Sequence, residues 1–212
     1  MPGPDPARAR ELYGEAAGGY DRRIARLSNR YRRRAVDGLQ LRAGQSALDV
    51  ACGTGANFEL LMERVGPSGH VVGVDLSQEM LEIAAQRVAE CAWDNIQLVS
   101  GAVEDSALGG PFDAALFSLT HDVLQSDSAL SNVASHLTPD ARVASFGVKA
   151  APSWLLPVNA VIRSISRRYI TTFDGFDEPW RKLARIAPDL AVEKVAFGGG
   201  YIASGSVGAA LR

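Results

Sequence analysis

The chain has 212 residues, of which 47% are hydrophobic and 22% are charged, and its formal net charge is −2. This composition is typical of a globular domain with a buried core, and it excludes disordered, collagen-like and coiled-coil proteins. The sequence contains neither an apolar run long enough to cross a bilayer nor an apolar segment typical of a signal peptide near its beginning. Because Cys52 and Cys91 cannot build a disulfide framework, we expect a cytoplasmic protein.

Charge is distributed unevenly along the chain. Residues 1–42 carry ten arginines and five acidic residues, whereas residues 43–212 carry twelve basic and nineteen acidic residues. Apolar residues recur at helical spacing between these arginines, which predicts one or two amphipathic helices. The arginines either form a solvated helix face or contact phosphate groups, for example in a transient contact with a membrane surface. The apolar positions are Tyr20, Ile24, Leu27, Tyr31, Ala35 and Leu39.

From Ser46 onward, strand and helix patterns alternate. Apolar runs predict strands, and apolar residues at positions i, i+3, i+4 and i+7 predict the helices between them. Such continuously apolar strands are typical of a parallel sheet covered on both faces. At the end, two strand patterns are joined by only three glycines, which is too short for a crossover helix and predicts an antiparallel hairpin. The predicted strands are Ala47–Val50, His70–Asp75, Ile96–Val99, Phe112–Phe117, Ala141–Val148, Glu193–Phe197 and Tyr201–Ser206.

The fold class that follows is α/β, with a doubly wound, mostly parallel seven-stranded sheet that ends in an antiparallel hairpin. We expect a single domain over residues 1–212, with N-terminal capping helices in residues 1–42 and an insertion at residues 151–178 before a last helix. Ser77 is expected to cap the helix after the second strand, and a further helix is expected at about Asp122–Leu137.

A glycine-containing loop follows the first predicted strand. It reads Leu48-Asp49-Val50-Ala51-Cys52-Gly53-Thr54-Gly55, and Asp75 ends the second strand twenty residues later. In an open α/β sheet, ligands bind beyond the carboxyl ends of the strands. Glycines there let the backbone approach the ligand, and a carboxylate can accept both hydroxyl groups of a ribose. The sequence therefore predicts a nucleoside site.

The charge of this loop indicates which nucleoside it favours. Phe58 stands where a dinucleotide-binding fingerprint needs its third glycine, and no Gly-Lys-Ser/Thr sequence follows the glycines as it would in a P-loop. Asp49 places a carboxylate where a pyrophosphate would lie, and like charges there are unfavourable. A ligand with positive groups beside its ribose is favoured instead. S-adenosylmethionine carries a sulfonium and an ammonium group on that side.

The segments LDVACGTG and VVGVDLS, in this order of strands and helices, resemble the class I S-adenosylmethionine-dependent methyltransferases. The likeness is to the ubiquinone/menaquinone C-methyltransferases and the small phospholipid N-methyltransferases, and it covers roughly residues 13–148. It implies a Rossmann-like methyltransferase fold with S-adenosylmethionine as cofactor. The segment from Tyr13 to Asp21 resembles the N-terminal Tyr-Asp element of that family, which folds over the cofactor as a cap.

The resemblance also implies roles for individual positions. Asp75 would bind the ribose, with Leu76 and Met80 packing on the adenine. The family's Gly-Asp-Ala segment after the third strand is replaced here by Gly101-Ala102-Val103, so the backbone of this segment or the neighbouring acids would read the adenine. The other cofactor-binding positions that the resemblance implies are Tyr13, Asp49, Ala51, Cys52, Gly53, Gly55, Ala102, Val103, Glu104 and Ser118.

Methyl transfer depends on alignment, and it needs a base only when the acceptor must lose a proton. Our candidates for catalysis are His121, which follows the fourth strand and titrates near neutral pH, its neighbour Asp122, and Tyr20 of the cap. Alternatively, Asp122 only caps the next helix and His121 bonds a backbone carbonyl. Three scattered histidines and two distant cysteines give no metal-ligand spacing, so we expect no metal.

Residues 151–178 are expected to build the acceptor pocket, with Trp154, Asn159 and Tyr169 contacting the substrate. The apolar and arginine positions in this segment follow helical spacing, which is also compatible with a surface helix over the sheet edge or with a helix on an anionic membrane.

We predict an enzyme that transfers a methyl group from S-adenosylmethionine to a small-molecule acceptor: a metabolite, a lipid headgroup or a natural product. One alternative is cyclisation of the aminobutyrate chain of the cofactor, which releases methylthioadenosine. The other is an RNA methyltransferase that uses the arginine-rich arm. Against a nucleic acid partner stand the net acidity and the sequence Ser118-Leu119-Thr120-His121 in place of an Asn-Pro-Pro-Tyr-type tetrad.

Overall fold

A computed structural model of the protein describes residues 4–5, 8, 28–167 and 169–208. The described strands form one seven-stranded sheet in the order β3-β2-β1-β4-β5-β7-β6. The strands are β1 (Ser46–Val50), β2 (His70–Asp75), β3 (Ile96–Ser100), β4 (Phe112–Ser118), β5 (Leu137–Val148), β6 (Ala191–Val195) and β7 (Gly200–Ser206).

Strand direction confirms the predicted topology. The pairs from β3 across to β5 are parallel, and β7 pairs antiparallel with both β5 and β6. The chain starts in the middle of the sheet at β1, continues outward to β3, and then returns to place β4 on the other side of β1. The carboxyl ends of β1 and β4 therefore lie at a topological switch point, which is where ligands bind in open α/β sheets.

Helices cover both faces of the sheet, as a buried parallel sheet requires. One apolar cluster includes Leu39, Phe58 and Leu61, and a second cluster on the opposite face includes Leu124 and Leu130. No helix in the described ranges is long and apolar enough to cross a membrane. The helices are α1 (residues 28–38), α2 (Phe58–Val65), α3 (Gln78–Glu90), α4 (His121–Gln125), α5 (Asp127–Ser135) and α6 (Leu156–Ser166).

Two exposed arginines of α1 pair with acidic residues of other elements. Arg33 forms an ion pair with Glu63 at 2.7 Å, and Arg34 pairs with Glu193 of the edge strand β6. These pairs attach α1 to α2 and to the far edge of the sheet. A membrane contact made by the arginine-rich N-terminal helices stays a prediction.

The helix expected at about Asp122–Leu137 is instead two helices, α4 and α5. The chain is extended at Ser126 (φ −93°, ψ 112°), and the Ser126 hydroxyl accepts the amide of Ala129, so this serine caps α5 and interrupts the helix. At the other end, Leu137 already belongs to β5, where it pairs with Phe112. The prediction of Ser77 as a cap is confirmed, because its hydroxyl accepts the amide of Met80.

Two predictions near the end of the chain are wrong. In place of a last helix there is a short 3-10 helix at Leu183–Arg185, and the proline at position 188 disfavours helical conformation in the residue before it. The strand predicted to reach Phe197 ends at Val195, because Ala196 and Phe197 adopt left-handed φ values of 50° and 54°. These two residues belong to the β6–β7 turn.

Candidate functional site

The loop between β1 and α2 presents its backbone at the switch point. Ala51, Gly53 and Gly55 all have left-handed φ values, of 51°, 55° and 71°. The amide of Cys52 donates to the carbonyl of Val74 at 2.9 Å, which fixes the loop to the end of β2. No described atom lies within 4 Å of the position that a Cβ on Gly53 would occupy, so the loop faces open space at this residue.

Asp75 connects this loop to the start of α3. One of its carboxylate oxygens accepts the amide of Gly53 at 2.7 Å, and the other accepts the amide of Ser77 at 2.9 Å. Burial raises the pKa of Asp75, while the amide hydrogen bonds oppose this shift. Because a carboxylate has about four lone-pair sites, both oxygens can accept further hydrogen bonds from a ligand.

Asp49 is fully buried behind the loop. Both of its carboxylate oxygens accept a hydrogen bond from the side-chain nitrogen Nδ2 of Asn57, each at 3.2 Å. Burial raises the pKa of Asp49 to about 7, although the Asn57 hydrogen bonds and the nearby Arg32 charge favour the ionised form. Near neutral pH this carboxyl group is therefore partly protonated. A cation bound beside it would lower its pKa and so favour the ionised form.

Sequence reasoning missed two residues of this site. Asn57 directly precedes α2, a position at which asparagine usually caps a helix, but its side chain makes no cap and bonds Asp49 instead. Arg32 of α1 is buried and donates to the carbonyl of Ala56 in the loop. The position of Asn57 was a signal available in the sequence, whereas the burial of Arg32 depends on where α1 packs.

The predicted adenine-side residues lie around the carboxyl ends of β2 and β3. Met80 is buried and Leu76 is half-buried at the start of α3. The carbonyl of Ala102 accepts the hydroxyl of Ser106 at 2.7 Å, and that of Val103 accepts the side-chain amide of Asn132 at 2.6 Å. These hydrogen bonds fix the backbone of Gly101-Ala102-Val103, the segment that stands where the family has Gly-Asp-Ala.

Glu104 contacts the neighbouring helix. Its carboxylate accepts the hydroxyl of Ser126 at 2.7 Å, and the same hydroxyl caps α5. Glu104 is half-buried, so its second oxygen can still be offered to a ligand.

His121 lies at the carboxyl end of β4, next to the switch point. Its ring is buried, packs edge-on against Phe176 at 5.4 Å between centroids, and has Asp174 close by. The backbone of Asp174 approaches the ring and favours its protonated form, but neither ring nitrogen meets hydrogen-bond geometry with a described residue, and the same is true of the buried hydroxyl of Thr120. Burial lowers the pKa of His121 despite the nearby Asp122 carboxylate, so the imidazole is neutral at neutral pH. The preceding Ser118 is half-buried at the end of the strand.

Asp122 attaches the insertion to α4. One carboxylate oxygen accepts both the amide and the hydroxyl of Thr171, each at 2.8 Å. Its other oxygen is buried without a hydrogen-bond partner in the described part of the chain. A catalytic role for Asp122 stays a prediction, and the contacts support a positioning role for it.

The three predicted substrate contacts have different surroundings. The side chain of Asn159 pairs with the backbone of Ala151, accepting its amide at 2.8 Å and donating to its carbonyl at 3.0 Å. Tyr169 is half-buried, whereas Trp154 is 77% exposed. Tyr13 and Tyr20 lie outside the described residues, so the two tyrosine assignments stay predictions.

Two other chemistries find no support in the described residues. Burial raises the pKa of the Cys52 thiol well above its usual range, so the thiol stays protonated and does not act as a nucleophile. In the described ranges, no group of three or more His, Cys, Asp or Glu residues could hold a metal ion.

The residues present fit S-adenosylmethionine. The amide oxygen of the buried Asn57 has no hydrogen-bond partner among the described residues, and the two carboxylates of Asp49 and Asp75 flank a loop that is open at Gly53. This donor and acceptor set suits a ligand with a cationic end and a ribose, and it is unfavourable for a pyrophosphate. Fold and site together define a nucleoside-binding α/β enzyme.

Comparisons with known proteins agree with this class. A family model described as a methyltransferase domain matches residues 47–140. A demethylmenaquinone methyltransferase from Lactococcus lactis subsp. lactis is 34% identical over 135 residues, which are 62% of this chain and 50% of that protein. Nocamycin O-methyltransferase from Saccharothrix syringae is 32% identical over 163 residues, which are 73% of this chain and 58% of that protein.

A solved structure shows the same fold. The crystal structure of a SAM-dependent methyltransferase from Aquifex aeolicus superposes with a TM-score of 0.61 at 18% identity, covering 96% of this chain and 98% of that one. The chain is therefore similar to the class I S-adenosylmethionine-dependent methyltransferases in its matched residues 47–140 and in its fold. It spans about half the length of the Lactococcus relative.

Proposed function

We propose that the protein transfers a methyl group from S-adenosylmethionine to a small, apolar acceptor that loses a proton from oxygen or carbon. The observation that carries this proposal is the pair of buried acids, Asp49 and Asp75, around a glycine loop that is open toward the switch point. When bound, S-adenosylmethionine supplies an electrophilic methyl group on its sulfonium. The curated relatives include a protein named for demethylmenaquinone and an O-methyltransferase, which supports a small-molecule acceptor.

The first step of this activity is binding of the cofactor, for which Asp75 and Asp49 are the candidates. Asp75 would accept the ribose hydroxyls while it holds the amide of Gly53. Asp49 would place negative charge near the cationic end of the cofactor, with Asn57 and Arg32 fixing its orientation and moderating its charge. The buried positions of these groups exclude water, which strengthens each electrostatic contact.

The second step is removal of a proton from the acceptor, for which His121 is the candidate base. A buried, neutral imidazole beside Asp122 and the backbone of Asp174 can accept a proton from an acceptor hydroxyl or an acidic C–H group. Phe176 packs on His121 and on Phe173, at 5.4 and 5.1 Å between centroids, so the surroundings are aromatic and favour an apolar acceptor. Asp122, through Thr171, would position the insertion over this histidine.

Product analysis tests this proposal directly. The protein is incubated with S-adenosylmethionine and a panel of phenols, quinols and enolisable acids, and the products are identified by mass spectrometry. We expect S-adenosylhomocysteine together with a methylated acceptor. Release of methylthioadenosine would indicate cyclisation of the aminobutyrate chain instead, and methylation of added RNA alone would indicate a nucleic acid substrate; either result overturns the proposal.

The pKa of about 7 at Asp49 leads to a prediction about cofactor affinity. A bound cation favours the ionised carboxylate, so binding lowers this pKa and releases a proton. Affinity for S-adenosylmethionine should therefore be full above the pKa of the free protein and should fall as pH drops below it, by up to about tenfold per pH unit. Calorimetric titrations at pH 6 and pH 8 would measure this change.

The matched variant is Asp49→Asn, which preserves the shape of the side chain but cannot ionise. We expect weaker binding in this variant and little change in affinity between the two pH values. S-adenosylhomocysteine, which lacks the sulfonium charge, should show a smaller pH dependence than S-adenosylmethionine with the unmodified protein. An Asn variant with the full pH dependence would contradict the role assigned to Asp49.

A further inference from the structure

Helix α6 turns an apolar face toward solvent. Val158, Val161 and Ile165 follow the spacing i, i+3, i+7 and so lie on one face, where they are 42%, 58% and 53% exposed. The side of α6 that packs on the protein carries the buried Ser166 and the half-buried Asn159. Ile162 is half-buried on the same packed side, so α6 leaves a second apolar face uncovered, whereas a surface helix of a globular protein normally buries its apolar face.

Three larger exposed side chains lie at the start of α6 and in a neighbouring turn. Trp154 and Leu156, at the start of the helix, are 77% and 71% exposed, and Phe197 in the β6–β7 turn is 96% exposed. The turn lies against α6, since a Cβ on Gly199 would be 3.0 Å from the Cδ1 atom of Ile162. We call the combined surface the apolar rim; it consists of Trp154, Leu156, Val158, Val161, Ile165 and Phe197.

The conformation of Phe197 adds a second, independent observation. Its φ of 54° and ψ of 29° are left-handed, and so is the φ of 50° at the preceding Ala196. Left-handed conformation is unfavourable for a bulky residue, and exposing a phenyl ring to water is unfavourable as well. Transfer of the ring into an apolar medium removes the cost of exposing it to water.

The charged side chains in and directly after α6 are arginines, whereas Asp174, Asp177 and Glu178 later in the insertion are acidic. Residues 151–173 contain three arginines and no acidic residue. Arg163 and Arg167 are exposed, and at about 100° per residue they lie on the side of α6 opposite Val158, Val161 and Ile165. Arg163 lies over the ring of Phe173 at 5.5 Å. A helix with apolar residues on one side and arginines on the other is characteristic of helices that lie at the boundary between lipid headgroups and acyl chains.

We propose that the apolar rim docks the protein onto an anionic lipid bilayer, with α6 lying in the interface and Trp154 and Phe197 inserted. A second copy of the chain is a poorer occupant, because α6 offers no acidic residue to these arginines, whereas a bilayer supplies anionic headgroups. Docking through α6 would bring the insertion at residues 151–178 to the bilayer. The end of the insertion lies near His121, because Phe176 packs on this histidine. The proposal concerns a surface and does not depend on which acceptor is methylated.

Vesicle co-sedimentation tests the docking surface. With mixed phosphatidylglycerol and phosphatidylcholine vesicles we expect binding, and with phosphatidylcholine alone much weaker binding. The double substitution Trp154→Ser with Phe197→Ser should lower the partition coefficient about tenfold or more. Arg167→Gln should lower it about fivefold in low salt, with a smaller effect in high salt. The matched control is Val192→Ser, which alters an exposed valine of β6 outside the rim and should leave binding unchanged.

Fluorescence gives a second readout with the intact protein. Emission should shift to the blue when anionic vesicles are added, and Trp154→Phe should remove this shift while sedimentation with vesicles persists. A correctly folded Trp154→Ser, Phe197→Ser protein that binds vesicles as well as the unmodified chain would overturn the proposal. So would an unmodified protein that ignores vesicles and dimerises through the rim. Methyl transfer in solution is assayed separately, so failure of docking is distinguishable from failure of the proposed activity.

Discussion

Replacing His121 with alanine should reduce the turnover number by about 100-fold or more while leaving the affinity for S-adenosylmethionine nearly unchanged. The reason is that no described residue forms a hydrogen bond of good geometry with the buried imidazole, although the backbone of Asp174 lies nearby, so the ring is available for a proton from the acceptor. Because burial lowers the pKa of His121, the neutral form persists below the ordinary value of about 6.5. Turnover of the unmodified protein should therefore stay level through neutral pH and decline only in more acidic solution.

Two controls separate catalysis from folding at this position. Added imidazole should partly restore turnover in the His121→Ala protein, because the substitution leaves a space of matching shape. His136→Ala removes a histidine at the end of α5 whose ring contacts the carbonyl of Asn132 at 2.8 Å, and its turnover should match that of the unmodified protein. Equal losses of turnover and cofactor affinity in His121→Ala, without rescue, would show that the residue is structural.

Replacing Asp75 with alanine should weaken binding of S-adenosylmethionine by about 10- to 150-fold, which corresponds to the roughly 1.5–3 kcal/mol of hydrogen bonds to a charged group. The substitution removes the acceptor for ribose hydroxyls and also frees the amide of Gly53 from its 2.7 Å hydrogen bond. Both effects lower the affinity for the cofactor. Calorimetry with S-adenosylmethionine and with S-adenosylhomocysteine should show similar losses, because the two ligands share the ribose.

The matched control for Asp75 lies at the opposite end of the sheet. Asp113 also accepts a backbone amide, that of Ser46 at 2.8 Å, and it is far from the carboxyl ends of the strands. Asp113→Ala should lower the melting temperature without changing cofactor affinity. If Asp113→Ala weakened the cofactor as much as Asp75→Ala, the loss would come from general loosening of the sheet, and the ribose role would be refuted.

The sequence was sufficient for features that depend on neighbouring residues. The β-branched run His70–Asp75 forms β2 with the predicted bounds, Ser77 caps α3, and the three-glycine connection predicted the antiparallel end of the sheet. In each case a short segment has one strongly preferred conformation. The loop at Gly53 and the carboxylate of Asp75 also meet as predicted, because parallel strands end at the same edge of the sheet.

The remaining features depend on contacts between distant segments. The burial of Arg32 follows from where α1 packs on the loop, and nothing in its flanking residues distinguishes it from the other arginines of that arm. The outward apolar face of α6 has the same periodicity as an inward one, so its spacing could not show which side meets solvent. The break at Ser126 arises because its hydroxyl serves both Ala129 and Glu104, and the second partner lies on another element.

The insertion at residues 151–178 closes on itself where it leaves the sheet. Ala150 and Phe176 are joined by a backbone hydrogen bond of 3.2 Å, and Asn159 pairs with Ala151 within the segment. These hydrogen bonds hold the two ends of the insertion next to each other, and they do not involve most of the chain between the ends. Residues between these contacts can therefore be shortened or replaced in an engineered variant without changing the pairing of β5 with its neighbours.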